Sequence, residues 1–92
     1  MNVEQLIKEK KASIIDVRTP GEFMGGHVAD SLNFPLQEIH LKIDELKNLK
    51  QPIVFCCASG NRSGQATQFI KSQGIDCFNG GSWLSVNYLQ NQ

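Results

Sequence analysis

Apolar positions along this chain fall into two patterns, unbroken short runs and runs spaced by three or four. "PIVFCC", residues 52–57, is a run of six residues without a polar break. Such continuity suits a central parallel strand covered on both faces. "ASIIDV", 12–17, is short and β-branched and predicts another buried strand. "SLNFP", 31–35, alternates and stops at a proline, and "IDCFN", 75–79, is a last strand candidate. The segments between them have helical spacing. Asn2 followed by Gln5 forms a capping-box pattern ahead of Val3, Leu6 and Ile7. Thr19, Pro20 and Glu22 read as N-cap, N1 and N3 of a helix that Gly25 and Gly26 cut short. Leu36, Ile39, Ile43 and Leu46 predict one helix from 36 to 49. In "RSGQATQFIKSQG", 62–74, Ala66, Phe69 and Ile70 share a face and Gly74 ends the helix. Gly80 and Gly81 predict a turn, with Ser82 capping a final helix to about Leu89.

Strands and helices therefore alternate. That order predicts an α/β domain with a central, mostly parallel sheet of four or five strands and helices on both faces, a three-layer arrangement. A chain of 92 residues fits one domain spanning 1–92. Ligands of such folds sit beyond the carboxyl ends of the strands. "CCASGNRSG", 56–64, lies there, between a strand and a helix.

Charge sharpens the picture at that junction. Nine basic and nine acidic residues cancel, so nothing points to nucleic acid or an anionic membrane as partner. The distribution is uneven: residues 51–92 hold only Arg62, Lys71 and Asp76. No run approaches the length of a membrane span, and "MNVEQLIKEKK" has no signal-peptide character. Three cysteines, an odd count, predict free thiols in a reducing, cytoplasmic setting.

In a strand, Cys56 and Cys57 point to opposite faces, Cys56 into the core and Cys57 toward the loop. The loop Ala58-Ser59-Gly60-Asn61 can curl so that successive N–H groups point inward, Gly60 supplying a positive φ. The following helix adds its N-terminal partial charge and Arg62 a full cation, both of which favour a thiolate. Nucleophile, anion nest and arginine together point to covalent catalysis at Cys57, with Ala58 through Ser63 as the anion-binding loop. A lone cysteine at a strand end is ordinarily a small buried hydrophobe; the combination with Gly60 and Arg62 turns the balance toward reactivity.

Three stretches carry a resemblance. "IIDVRTPGEFMGGHVADSLNFPL", 14–36, resembles the Asp-Val-Arg, Glu-Phe, Gly-His and Asn-x-Pro signature of the single-domain rhodaneses. "PIVFCCASGNRS", 52–63, is similar to their strand and active-site loop, and "GIDCFNGGSWLSV", 74–86, to their Gly-Gly and tryptophan ending. The resemblance implies a sulfurtransferase. Cys57 would take a sulfane sulfur from thiosulfate or a persulfide, and hand it to a thiophilic acceptor such as cyanide or a thiol. No cofactor is implied. Phosphatases of related fold use a Cys-x5-Arg loop, wide enough for a tetrahedral phosphate. Here four residues separate Cys57 from Arg62, which favours a sulfur atom over that of a Cys-dependent phosphatase or arsenate reductase. A sulfur-carrier or redox-sensing module acting with a partner protein is a third reading. Many rhodaneses carry a further basic residue in the loop to bind thiosulfate. Ala58 and Ser59 stand at the early positions here, so a protein persulfide or low-molecular-weight persulfide is an equal candidate for donor.

Asp16, Arg18, Glu22 and His27 belong to the same signature. Their expected role is structural, tying the first strand, its short helix and the next turn, with an influence on the loop as the sharper alternative. The cysteines and histidines show no metal-ligand spacing, so no metal site is expected. Cys77 reads as buried in its strand, with a resolving role toward Cys57 as the alternative; His40 reads as surface, and Trp83 as core packing, with a place near the site as the alternative.

Overall fold

The computed structural model describes residues 1–92. Its four strands are β1 (Ser13–Asp16), β2 (Leu32–Asn33), β3 (Ile53–Cys57) and β4 (Cys77–Ser82). They form a parallel sheet in the order β2-β1-β3-β4. Five helices accompany them: α1 (Val3–Lys8), α2 (Pro20–Met24), α3 (Ile43–Asn48), α4 (Asn61–Ser72) and α5 (Trp83–Gln90).

The alternation along β3 divides the core in two. Ile53, Phe55 and Cys57 face a cluster closed by Ile39, Leu46, Ala66 and Ile70. Val54 and Cys56 face the other side, with Ile7, Val28 and Val86. The sheet is thus covered on both faces, as the unbroken apolar run requires. The chain runs from β1 outward to β2, then returns past β1 to β3. This reversal puts the carboxyl ends of β1 and β3 side by side, the crevice where such sheets bind ligands.

The local helix-start signals hold. Asn2 and Gln5 form a capping box on α1, and Thr19 and Glu22 form one on α2 with Pro20 in the first turn. Ser82 caps α5 by accepting from the N–H of Ser85. Four expectations need correction. The helix predicted over 36–49 is a 3₁₀ helix, Leu36–Leu41, followed by α3, with Lys42 as the joint. Leu36 and Ile39 sit three apart, a spacing that suits the tighter helix as well as the α form. The strand predicted over 31–35 is only Leu32–Asn33. Phe69 lies outside the buried face of α4, which is Ser63, Ala66, Thr67 and Ile70. Gly80 and Gly81 are not a turn: β4 runs through them to Ser82, with a register shift opposite Phe55 and Cys56. A Cβ on Gly80 would stand 2.7 Å from Val54 Cγ1 and 2.9 Å from Val86 Cγ2. The glycine is there because β3 and α5 approach so closely.

Candidate functional site

The junction between β3 and α4 is built around the sulfur of Cys57. Gly60, at φ +98°, turns the chain and serves as N-cap of α4. Its N–H donates to Cys57 Sγ at 3.0 Å. The N–H of Ser63, in the first turn of α4, donates to the same sulfur at 3.4 Å, and the Ser63 hydroxyl lies 3.3 Å away. Cys57 itself is fully buried beneath this loop. Burial pushes its thiol up. The Ser63 hydroxyl and the backbone N–H groups of Ser63, Gly60 and Ser59 outweigh that effect, and the thiol is held below its ordinary value. Its neighbour behaves in the opposite way. Cys56, packed against the other face, is pushed up to about 12 by burial, with the Asp16 carboxylate adding to the shift. Burial also raises Cys77. All three cysteines are free.

Ala58, Ser59 and Asn61 are exposed at the rim of the loop. Asn61 takes no part around the sulfur; its side chain accepts from Gln65 Nε2 at 3.2 Å. Arg62 also departs from expectation. Its guanidinium makes no hydrogen bond to Cys57 and instead forms a two-pronged ion pair with Glu22, at 2.7 and 3.0 Å. The hydrogen bonds at the sulfur therefore come from backbone N–H groups and a hydroxyl. The Arg62 guanidinium, with help from the Thr19 N–H, brings the Glu22 carboxyl down to about 2. Glu22 in turn raises Arg62. Glu22 thus both caps α2 and joins that helix to α4.

Asp16 and Arg18 form a second, separate pair. The guanidinium donates to both Asp16 carboxylate oxygens at 2.7–3.0 Å and to the carbonyl of Gly26 at 2.7 Å. It lies 4.8 Å from the centre of the Trp83 ring, which also packs on Gly26. Asn33 fastens the end of β1 by donating to the carbonyls of Asp16 and Arg18. His27 is exposed: its Nδ1–H donates to the Phe23 carbonyl at 2.7 Å and its ring stacks on Phe23. It makes no hydrogen bond to the loop. No group of three or more His, Cys, Asp or Glu side chains gathers to hold a metal ion. No helix is long and apolar enough to cross a membrane.

One residue that sequence reasoning missed is Asn79. Its Oδ1 accepts from the Ser63 hydroxyl at 2.7 Å and from the Gly81 N–H at 3.0 Å; its Nδ2 donates to the Gly60 carbonyl at 3.0 Å. The side chain pins both ends of the cradle to β4. An asparagine inside a strand is a poor β-former, and that misfit was the available signal.

A family model described as a rhodanese-like domain matches residues 2–83. Protein YqhL of Bacillus subtilis strain 168, whose function is uncharacterised, is 38% identical over 65 residues, 71% of this chain and 51% of that protein. A sulfurtransferase of Allochromatium vinosum is 30% identical over 71 residues, 77% of this chain and 65% of that protein. The chain thus spans about half to two thirds of the length of these relatives. Among solved structures, the human single-domain sulfurtransferase TSTD1 superposes with a TM-score of 0.74 at 26% identity. That match covers 98% of this chain and 91% of the human one.

Proposed function

This chain belongs to the rhodanese-like domain family, and from that membership we propose that it is a sulfurtransferase working through a persulfide on Cys57. The observation that carries the reading is the convergence of the Gly60 and Ser63 N–H groups on Cys57 Sγ. Such a cradle stabilises negative charge on the thiolate before the reaction and on the persulfide after it. The sulfurtransferase of A. vinosum and the human single-domain sulfurtransferase support the same class of activity.

The chemistry has two steps. The Cys57 thiolate attacks the sulfane sulfur of a donor, thiosulfate or a persulfide. A new Sγ–S bond forms, the donor's S–S bond breaks, and sulfite or a thiolate leaves with the electron pair. The acceptor, cyanide or a thiol, then attacks the outer sulfur of the persulfide. That second displacement returns Cys57 as a thiolate, ready for another cycle. Arg62 holds α2 in place through Glu22, and Asn79 fixes the cradle from β4. The match over residues 2–83 supports treating residues 1–92 as one sulfur-handling domain. Three free thiols suit a reducing compartment such as the cytoplasm.

Intact mass after incubation with thiosulfate or a persulfide, then with cyanide, tests the reading. The expected result is a gain of one sulfur that cyanide removes. Cys57→Ser should abolish the gain, while Cys56→Ser should leave it largely intact. Failure to load from any donor rejects the proposal. Turnover of an aryl phosphate without sulfur loading would point to Cys-dependent phosphatase chemistry instead.

A further inference from the structure

The one cation near the candidate thiol is already engaged. Arg62 is the single charged residue between Cys57 and Ile70. Both of its terminal nitrogens are held by the Glu22 carboxylate. Glu22 is itself fixed from behind: its Oε1 accepts from the Thr19 N–H at 3.0 Å and the Thr19 hydroxyl at 3.1 Å. A paired, two-pronged geometry of this kind is among the stronger ion pairs, and only about a third of either side chain is exposed (34% and 37%). A cleft of about 220 Å3 opens alongside. Its charged members are Arg62 and Glu38, set among Val17, Pro35 and Leu36. The wall of this cleft therefore carries an arginine already paired with a carboxylate and a further carboxylate, with no lysine.

We propose that Glu22 sets donor specificity. By holding Arg62 it withdraws the one full positive charge that a dianion could use, and it biases the site toward organic persulfides of low net charge. The inference rests on the sulfurtransferase reading above. In the favoured reaction the Cys57 thiolate attacks the terminal sulfur of R–S–SH. The Cys57 Sγ–S bond forms, the sulfur–sulfur bond of RS–SH breaks, and RS⁻ departs with the electron pair while the transferred sulfur keeps its proton. With thiosulfate the site must admit two negative charges and release sulfite as a dianion. Apart from the backbone N–H groups, no free cation near the sulfur offsets them.

The substitution that separates charge from structure is Glu22→Gln. Glutamine at this position of a capping box still accepts from the N-cap N–H, so α2 keeps its start while Arg62 is released. The readout is the ratio of second-order sulfur-loading rates for thiosulfate and cysteine persulfide, followed by intact mass. In Glu22→Gln this ratio should rise on the order of tenfold, the effect of one unit charge acting on a dianion at a partly exposed site. The rate with thiosulfate should also become more sensitive to salt. Arg62→Gln leaves the capping box untouched and should lower the ratio. The double variant, with the wild-type net charge, should return near the wild-type ratio. Should Glu22→Gln fail to fold, Arg62→Gln and the double variant carry the test together: a fall in the first that the second does not reverse would mean that Arg62 serves thiosulfate directly, and it overturns the proposal. A ratio that stays level or falls in Glu22→Gln overturns the proposal, as does a rise in Arg62→Gln. A wild-type protein that loads from neither donor sinks the sulfurtransferase reading itself. A protein that loads, but whose ratio ignores residue 22, sinks this inference alone.

Discussion

Two adjacent cysteines experience opposite fields. Cys56 is surrounded by apolar side chains with the Asp16 carboxylate nearby, and at about 12 it stays a neutral thiol throughout the working range. Cys57 is equally hidden, yet hydrogen bonds from Ser63, Gly60 and Ser59 outweigh its burial and favour the thiolate. Sulfur loading should therefore rise with pH through a midpoint below that of a free cysteine, about 8.5, and level off above it. The sign follows from the form that the donors stabilise. Lowering the pH through that midpoint protonates the sulfur, which removes both the nucleophile and the gain from its hydrogen bonds. Ser63→Ala deletes the hydroxyl and keeps the N–H, so its profile should shift to higher pH, while Cys56→Ser should leave the midpoint where it is. The Ser63 proton has a competing acceptor, since the hydroxyl also reaches Asn79 Oδ1 at 2.7 Å. A Ser63→Ala profile that superimposes on the wild type would show that this proton stays with Asn79.

Elements whose signals are local were legible in the sequence, and those decided by distant contacts were not. The capping boxes at Asn2–Gln5 and Thr19–Glu22 each involve residues three apart, and both formed. The unbroken run ending at Cys57 required a covered strand, and the glycine after it a positive φ; both are present. The joint at Lys42 escaped because its neighbours keep a spacing compatible with either helix type. The pairing of Arg62 with Glu22, forty residues earlier, and the hold of Asn79 on Gly60 depend on tertiary contacts that no local pattern encodes. Gly80 shows the same limit. Two glycines in a row suggest a turn, yet the first is a packing site inside β4. A Cβ there would also come 3.1 Å from the Phe55 carbonyl, and neither backbone nor β-branched neighbours can yield freely. Gly80→Ala should therefore destabilise the protein by about 1–3 kcal/mol, the usual range for overpacking. Urea unfolding should show a lower midpoint at an unchanged slope. A midpoint within error of the wild type would mean that β3 and α5 can part without cost.

Across the whole molecule, the two core layers meet a charged group that neither can solvate. The Arg18 side chain is 6% exposed and that of Asp16 is fully buried, so the pair lies inside the protein. Its partners tie three parts of the chain together: the end of β1, the Gly26 carbonyl after α2, and Trp83 at the start of α5. A buried pair of this kind is a poor source of net stability, because desolvation offsets most of the attraction. Breaking it is another matter. Asp16→Asn keeps the shape and an acceptor but leaves the guanidinium buried without a counter-charge, at a cost of about 3–5 kcal/mol. Domains of this size have roughly 5–15 kcal/mol in total, so the single variant should lose much of its stability. Replacing both charges together, as Asp16→Asn with Arg18→Met, removes the stranded cation and should cost far less than the sum of the two single changes. Urea midpoints for the four proteins measure that coupling directly. Additive losses would mean that Arg18 finds solvent once Asp16 is neutral, and that Trp83 and Gly26 hold the end of β1 by packing alone.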